Sequence, residues 1–371
     1  MYGTGGNSLT ITFTFMERFI LIDGNAILHR AYHALPPLTS SSGEVVSAVY
    51  GFFSMFLKII EDLKPAHIAV CFDRAKPTFR QEMYVGYHAT RPKLADDFVP
   101  QIILVHDALE KMGVSIFELD GYEADDLIGT LAFQAFQNTE YRIQKTCLPA
   151  GRTDSGKTEI TDKTDSVSSV LSAISFPSSV LSPLEVIIVS GDRDLLQLVN
   201  SHVRVLAPIV GLTNTVLYDE QKVEEKYGVK PSQIVDYKAL VGDASDNYPG
   251  VAGIGPKTAS NLLKKYKTFE NLYKNLGELP PKISERLATD TEQASLAKKL
   301  ATVVCDAPIR LDIEKCNIKG FDVNKAKEFF EELGFNSLLK RVSKQQETSN
   351  KKQEKSPPSP KASEDKQLGL L

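Results

Sequence analysis

The sequence predicts an α/β domain built around a mostly parallel sheet, followed by a helical half from about residue 219 to residue 342. Three apolar runs carry the sheet prediction, at residues 19–22, 68–72 and 186–189. Each run is short and apolar throughout, which is typical of a strand that is buried on both faces of a parallel sheet. We expect the α/β core to span residues 17–218.

An acidic residue follows each of these three runs. Asp23 ends the first, Asp73 ends the second, and Asp192 lies just beyond the third. Because the carboxyl ends of parallel strands form the crevice where ligands bind, we expect these carboxylates to converge on one site. Like charges at short range repel each other, and hard divalent cations such as Mg²⁺ or Mn²⁺ relieve that repulsion.

Six further acids occur at spacings that fit the same site. Glu123 and Asp126 are three residues apart, which places them on one face of a helix that begins there. The predicted metal ligands are nine carboxylates: Asp23, Asp73, Glu123, Asp125, Asp126, Asp192, Asp194, Asp243 and Asp246. So many carboxylates suit a pair of ions that activates water against a phosphodiester. Taken alone, Asp194 or Asp246 would be better explained as a helix cap or a solvated charge.

The acidic motifs, taken in order, resemble those of the 5′-nuclease family, specifically the 5′–3′ exonuclease and flap endonuclease domain at the front of bacterial DNA polymerase I. The resemblance implies a PIN-like fold, two or more Mg²⁺ or Mn²⁺ ions, and hydrolysis of DNA with a 5′ end or flap, or of an RNA primer. It spans residues 18 to about 310 and rests on residues 22–25, 29–34, 72–73, 122–126, 190–194 and 241–251.

Residues 250–259 predict a loop that binds a phosphate. Closely spaced glycines followed by proline let the backbone approach an anion at a helix N-terminus. The segment resembles the hairpin of the family's helix-hairpin-helix, at about residues 239–266, where K⁺ is a possible ligand. The predicted DNA contacts are Gly253, Ile254, Gly255, Lys257 and Thr258. From 256 to 286, seven basic residues oppose three acids, which favours backbone contact to DNA over an ordinary solvated face.

Residues 78–99 resemble the helical arch that covers the metal site in this family. By that resemblance Arg91 would contact the scissile phosphate, Tyr87 would stack on a terminal base, and Arg80 would join them in the catalytic set. His88 stands where the family usually has lysine. Lysine is charged at any working pH, whereas histidine titrates near neutrality, so we expect a changed pH dependence or changed phosphate binding.

Composition restricts the class of protein only weakly. The chain has 43 basic and 47 acidic residues and therefore a net charge of −4. This overall charge does not by itself indicate a nucleic-acid-binding protein. Four scattered cysteines favour free thiols in a reducing cytoplasm, and no apolar stretch approaches the ~20 residues of a membrane span. We expect a bacterial cytoplasmic, nucleoid-associated monomer, with residues 1–16 outside the core.

Two segments depart from the family pattern. Residues 139–183 are rich in serine and threonine and predict a surface insertion. Within it, residues 151–158 match a Walker A loop, but no buried strand precedes them, so we interpret the match as coincidence. Residues 343–371 predict a disordered tail. Its end resembles a sliding-clamp peptide or is an accidental apolar terminus: Gln367, Leu368, Leu370 and Leu371.

Two rival functions remain open at this point. One is a DNA-junction binding protein with little or no catalysis, against which the full set of nine carboxylates argues. The other is an NTPase built on residues 151–158, which nucleotide hydrolysis in the absence of DNA would reveal.

Overall fold

The computed structural model describes residues 17–91, 93–146, 184–211 and 214–353. Within these ranges it leaves out the side chains of residues 138–146, 210 and 345–353. The predicted N-terminal extension, the Walker-like loop and the clamp peptide at 367–371 lie outside the described residues. These three predictions stay predictions from sequence.

A six-stranded sheet forms the centre of the molecule, in the order β3-β2-β1-β4-β5-β6. The first five strands run parallel, and β6 pairs antiparallel with β5. This arrangement confirms the mostly parallel sheet. The strands are β1 (Glu17–Asp23), β2 (His67–Cys71), β3 (Ser115–Phe117), β4 (Leu184–Val189), β5 (Val203–Val210) and β6 (Asn214–Tyr218).

Side chains of β1 alternate between two apolar cores, one on each face of the sheet. Phe19 and Leu21 enter the first core, whereas Ile20 and Ile22 enter the second. A parallel strand buried on both faces therefore has no polar position, which explains its uninterrupted apolar run. The helices of this half are α1 (Gly24–Ala34), α2 (Ser47–Leu63), α3 (Phe79–Met83), α4 (Val99–Lys111) and α5 (Ala124–Thr146).

The helical half packs on the face of the sheet that α5 covers. Its elements are α6 (Glu220–Tyr227), α7 (Ile234–Val241), the short hairpin β7 (Gly242–Asp243) and β8 (Tyr248–Pro249), α8 (Pro256–Tyr266), α9 (Phe269–Lys274), α10 (Pro281–Thr289) and α11 (Thr291–Ala301). Ile254 and Leu263 share the first core with Leu127 of α5. One continuous core thus joins this half to the sheet.

The last two helices return to the opposite face, beside α2. They are α12 (Val323–Glu332) and α13 (Asn336–Gln353). The rings of Phe53 and Phe330 lie 5.4 Å apart between centroids, and Arg341 donates to the Ser54 carbonyl at 3.1 Å. The predicted helical half therefore divides between the two faces, which the sequence analysis did not anticipate.

Three predicted boundaries differ from the structure. Helix α5 continues to Thr146, into the predicted insertion, and α13 continues to Gln353, into the predicted tail. The residues beyond 343 include many good helix formers, which extend a packed helix without an apolar stripe. In the predicted arch, only α3 and the start of α4 are helical, and residues 85–90 form turns. No described helix combines the length and apolar character needed to cross a membrane.

Candidate active site

Asp23, Asp73 and Asp192 lie at the carboxyl edge of three adjacent parallel strands, as the strand-end pattern predicted. Asp23 is the last residue of β1 and caps α1, where its Oδ1 accepts from the Ala26 amide at 2.9 Å. Its Oδ2 accepts from Ser190 Oγ at 2.7 Å. Asp73 Oδ1 accepts from the Ala124 amide at 2.7 Å. These bonds fix the carboxylates to the sheet and to the start of α5.

Four carboxylates form what we call the acid pocket: Asp23, Asp73, Asp125 and Asp192. Within the described residues, none of them makes an ion pair with a basic side chain. Burial and then Asp73 raise the pKa of Asp23 to about 7. Burial and the charge of Asp192 raise the pKa of Asp125 well above its ordinary value. The pocket therefore gathers carboxyl groups whose charged forms no ion pair of the described protein stabilises.

The pKa values of Asp192 and Asp73, the other two members of the acid pocket, are also raised, and other contributions oppose the rise in each. Burial raises the pKa of Asp192, and Lys238 offsets part of that rise. Protein atoms around Asp73 displace water from its carboxyl group, which raises its pKa. Asp73 nevertheless remains exposed, so solvent screens part of this rise in pKa. Sites that shift several carboxyl groups upward together are typical of metal or catalytic centres.

The remaining five predicted ligands each contact a basic side chain, and we call them the paired acids: Glu123, Asp126, Asp194, Asp243 and Asp246. Asp126 is fully buried, and Arg80 donates to both of its oxygens at 2.7 Å. Arg80 also reaches Glu123 at 3.2 Å. Asp126 consequently has no free oxygen facing the acid pocket.

Arg80 does not occupy the catalytic position that the sequence analysis assigned to it. Arg80 is 2% exposed, and its guanidinium also donates to the carbonyls of Leu300 at 2.9 Å and Thr302 at 2.7 Å. The side chain ties α3 to α5 and to the end of α11. All five N–H donors of the guanidinium already have acceptors inside the protein, so we correct the role of Arg80 from catalysis to positioning.

Lys238 contacts two of the predicted ligands, which local sequence patterns did not reveal. It is buried in α7, and its Nζ contacts both Asp194 and Asp243, the latter at 2.5 Å. Burial alone would raise the pKa of Asp243, but Lys238 and Ser245 outweigh it and hold that pKa below its ordinary value. A lysine inside a short apolar helix, five residues before an aspartate, was the available signal.

Asp246 attaches the turns after α3 to the β7–β8 hairpin. Its Oδ1 lies 3.0 Å from His88 Nε2 and accepts from Arg91 Nη2 at 2.8 Å. The His88 amide donates to the Asp246 carbonyl at 3.1 Å, and Asn247 donates to the Gly86 carbonyl at 2.7 Å. Arg91 and His88 also offset part of the rise in the pKa of Asp73, because both side chains lie beside the acid pocket.

Tyr87 is buried, which removes the base-stacking role predicted for it in this conformation. Its hydroxyl donates to Glu123 at 3.1 Å, and its ring stacks on His88 with centroids 3.8 Å apart. The ring belongs to a small apolar cluster with Tyr248 and Leu300. Its packing partners come from elements distant in sequence, so the tyrosine could not be recognised as buried from its neighbours.

The predicted DNA-binding hairpin presents some of its residues to solvent and buries one. Gly253 has a φ of +74°, and Gly255 caps α8 ahead of Pro256. Lys257 is exposed and Thr258 is partly buried. Ile254 packs into the core, so its side chain cannot reach DNA. A methyl group added at Gly255 would meet nothing within 4 Å, which leaves its backbone open to a ligand.

Solved structures with similar folds include two of T5 proteins. The T5 D15 protein co-crystallised with metal ions matches with a TM-score of 0.55 and 17% identity, over 88% of this chain and 100% of that one. T5 5′-exonuclease with divalent metal ions (zinc) bound matches with a TM-score of 0.54 and 18% identity, over the same shares. At this identity the match concerns the fold, and it confirms the predicted architecture.

Two family descriptions and several relatives match the sequence. Residues 18–146 match the 5′–3′ exonuclease N-terminal resolvase-like domain, and residues 229–324 match the 5′–3′ exonuclease C-terminal SAM fold. A 5′–3′ exonuclease of Aquifex aeolicus is 34% identical over 89% of this chain and 96% of the relative. The chain therefore belongs to the 5′–3′ exonuclease family.

Larger relatives contain a region similar to this chain. DNA polymerase I of Caldicellulosiruptor bescii is 37% identical over 88% of the chain, and DNA polymerase I of Bacillus subtilis is 35% identical over 88%. The chain spans about a third of the length of these polymerases, 33% and 32% respectively.

Proposed function

We propose that this protein is a divalent-metal-dependent 5′ nuclease that hydrolyses DNA phosphodiesters at a 5′ end or 5′ flap in replication and repair. The acid pocket carries this proposal. Three of its carboxylates lie at the ends of adjacent strands, and Asp125 lies beside them at the start of α5. No basic side chain of the described protein forms an ion pair with any of the four. Family membership and the DNA-processing relatives support the same reaction class. RNA primers annealed to DNA are a second substrate of the same kind.

The donor set of the acid pocket fits hard divalent cations. Carboxylate oxygens are the ligands that Mg²⁺ and Mn²⁺ prefer, and uncompensated burial raises the pKa of these groups in the absence of a cation. The T5 proteins of similar fold were crystallised with metal ions, including zinc, which supports a divalent metal of some kind. We propose Mg²⁺ or Mn²⁺ as the physiological ion.

We propose that the acid pocket holds two ions rather than one. Its four carboxylates would hold them, and two ions would supply an activated water and stabilise charge on the phosphate, as in many phosphodiester hydrolases. Outside this pocket, the described residues bring three ligand atoms within 4.8 Å of one another at His106, Asp107 and Glu110, on the surface of α4.

Each group of residues has a part in the proposed reaction. The four carboxylates of the acid pocket would hold the ions, which would supply an activated water and stabilise charge on the phosphate. Ser190 and the Ala26 amide hold Asp23 in one orientation toward the crevice. Arg91 is half exposed beside the pocket, and its guanidinium can donate to a phosphate as well as to Asp246. Arg80 and Lys238 hold the paired acids in place and keep the frame of the site rigid.

Cleavage of an end-labelled 5′-flap duplex tests the proposal. We expect cuts near the junction of single and double strand with millimolar Mg²⁺ and none with a chelator. A blunt duplex and a 5′-recessed duplex measure the balance between flap and end cleavage. Binding of the flap without any cut would favour the junction-binding alternative, and nucleotide hydrolysis without DNA would favour the Walker-like loop.

A sliding clamp is a further proposed partner, on the basis of sequence alone. Gln367 would orient the peptide, and Leu370 and Leu371 would fill an apolar pocket on the clamp. Short flexible peptides bind weakly, in the micromolar range or about −8 kcal/mol, which suffices when a linker keeps the partner near. Replacing both leucines with alanine should abolish clamp binding and leave flap cleavage in free solution unchanged.

A further inference from the structure

Three side chains from one side of the helical half hold the backbone of the hairpin at residues 250–255. Arg286 Nη1 donates to the Gly253 carbonyl at 2.8 Å. Asp290 Oδ2 accepts from the Ala252 amide at 2.7 Å, and Gln293 Nε2 donates to the Gly250 carbonyl. Arg286 lies in α10, Asp290 joins α10 to α11, and Gln293 lies in the first turn of α11. We call Arg286, Asp290 and Gln293 the hairpin brace.

The hairpin has few backbone bonds of its own to fix its shape. The Val251 amide donates to the Leu240 carbonyl at 2.9 Å, and the Ile254 amide donates to the Val251 carbonyl at 3.0 Å. The hydrogen bonds of the brace satisfy three further groups: the carbonyls of Gly250 and Gly253 and the amide of Ala252. Polar backbone groups without partners are costly, so the brace selects one conformation of a glycine-rich loop that otherwise has many.

Arg286 and Gly253 fit each other closely. Gly253 has a φ of +74°, which favours glycine, and a Cβ at this position would lie 2.5 Å from Arg286 Nη1. The guanidinium therefore lies directly against the bare Cα of the loop. A side chain at residue 253 would push the guanidinium away and break its bond to the carbonyl.

The positive charge of Arg286 is not neutralised by a carboxylate. The side chain is partly exposed, and within the described residues it enters no ion pair. Guanidinium has five N–H donors, and only Nη1 donates to the hairpin. Arg286 Nη1 thus holds the loop, while the other N–H groups of the guanidinium form no hydrogen bond to the hairpin within the described residues. Its positive charge remains on the half of the molecule where Lys257 is exposed.

One consequence concerns the K⁺ that the family resemblance suggested for the hairpin. The Gly253 carbonyl already accepts from Arg286 Nη1. A cation at this carbonyl would have to share its oxygen with the positively charged guanidinium of Arg286.

We propose that the hairpin brace is a positioning device for DNA binding, and that Arg286 is both a positioning residue and a source of positive charge for a duplex phosphate. The proposal rests on the proposed function, in which this hairpin contacts the DNA backbone. Loss of the brace should weaken duplex binding while leaving turnover of saturated enzyme intact, because the brace is not among the residues that surround the acid pocket.

The variant Asp290→Ala distinguishes two explanations of how the brace affects DNA binding, namely positioning of the hairpin and electrostatic attraction alone. Replacing Asp290 with alanine removes a negative charge near a DNA surface, so electrostatics alone predicts tighter binding. Positioning predicts weaker binding, since the Ala252 amide loses its acceptor. Asp290→Asn removes the charge but retains an acceptor oxygen, and it should bind at least as tightly as the native protein. The sign of the change therefore distinguishes the two explanations.

The test is a titration of a fluorescent duplex with the full chain at several salt concentrations, together with turnover at saturating DNA. Arg286→Ala should raise the Kd about tenfold and lower the salt slope by about one. Lys282→Gln is the matched control. Lys282 is an exposed basic residue of the same helix and has no hydrogen bond to the hairpin within the described residues, so its replacement removes the same charge and should raise the Kd less than Arg286→Ala does.

The outcomes keep the two proposals apart. A native protein that does not bind the duplex would contradict the proposed function itself. A native protein that binds, with Asp290→Ala binding equally or more tightly, would overturn the brace alone. If Asp290→Ala fails to show a cooperative thermal transition, Arg286→Gln and Asp290→Asn replace it. Arg286→Gln should then bind more weakly than Lys282→Gln, and equal Kd values for these two variants would overturn the brace.

Discussion

The acid pocket and the paired acids contain the same residue types, a few positions apart in the sequence, in opposite electrostatic situations. Asp125 and Asp126 are neighbours in α5. Asp125 lies among other carboxylates, which together with burial raise its pKa well above the ordinary value. Asp126 is held by Arg80 through two bonds of 2.7 Å. Successive helical residues point about 100° apart, so adjacent carboxylates can serve metal binding and framework separately.

The same division separates Asp192 from Asp194. Asp192 belongs to the acid pocket, and its Oδ1 accepts from the Asp194 amide at 2.8 Å. Asp194 is buried and contacts Lys238. We propose that the role of a carboxylate in this site depends on whether a basic side chain of the described protein already pairs with it. Each of the following predictions tests one side of that division.

The largest effect should come from the acid pocket. Asp125→Ala or Asp192→Ala should lower flap cleavage by about 10³-fold or more, since a lost metal contact removes several kcal/mol of transition-state stabilisation. Binding to a flap duplex should persist, because the ions serve chemistry more than docking. Single-turnover kinetics and anisotropy titrations measure the two quantities. Near-normal turnover at millimolar Mg²⁺ would remove the proposed site.

Arg80 should affect stability more than chemistry. Arg80→Met leaves Asp126 as a buried charge without a partner, which costs about 3 to 5 kcal/mol in comparable buried pairs. Urea unfolding measures the loss. The fraction that stays folded should retain turnover per molecule. An unchanged unfolding free energy with abolished cleavage would restore the catalytic role first predicted for this residue.

The stability of the metal-free protein should fall as the pH rises from about 4 to about 7. The pKa of Asp23 rises from 3.8 to about 7 on folding. Between those values the folded state binds more protons than the unfolded state, so each rise in pH costs stability. Mg²⁺ binds the ionised form and should raise the melting temperature more at pH 8 than at pH 5.5. Asp23→Asn should flatten this dependence, and equal Mg²⁺ shifts at both pH values would count against the pocket.

The smallest effect should come from a single phosphate contact. Lys257→Ala should weaken duplex binding modestly and reduce its salt slope by about one, since Lys257 is exposed at the start of α8. Glu278→Ala offers a control of opposite charge in the same half of the molecule. An unchanged slope for Lys257→Ala would place the duplex on another surface.

Local sequence patterns predicted those features of the fold that depend on the residues of one short segment. The three buried strands, the acids that follow them and the glycine-rich hairpin are visible in short segments, because a buried parallel strand must be apolar and a tight loop requires glycine. The family resemblance supplied the expected order of these motifs. The position of α12 and α13 on the opposite face depended on distant packing and could not be read in this way.

The pairing of acids depended on contacts between distant residues. Arg80 donates to the carbonyl of Leu300, a residue 220 positions away, and to Asp126, which is 46 positions away. Lys238 reaches Asp194 from another helix. Spacing alone did not divide the nine carboxylates into these two sets, and only the folded arrangement separates the four that have no basic partner among the described residues. The burial of Tyr87 likewise depends on distant residues, because its ring packs with Tyr248 and Leu300.

Ion binding to two charge-matched variants tests the central claim most directly. Asp125→Asn and Asp246→Asn each remove one negative charge, one from the acid pocket and one from the paired acids. In the DNA-free protein, Mn²⁺ titrations followed by electron paramagnetic resonance should show that Asp125→Asn loses an ion or weakens its binding about tenfold or more, about 1.4 kcal/mol. Asp246→Asn should leave Mn²⁺ binding close to that of the native protein. Equal losses in both variants, or a loss confined to Asp246→Asn, would contradict the division between the two sets of carboxylates.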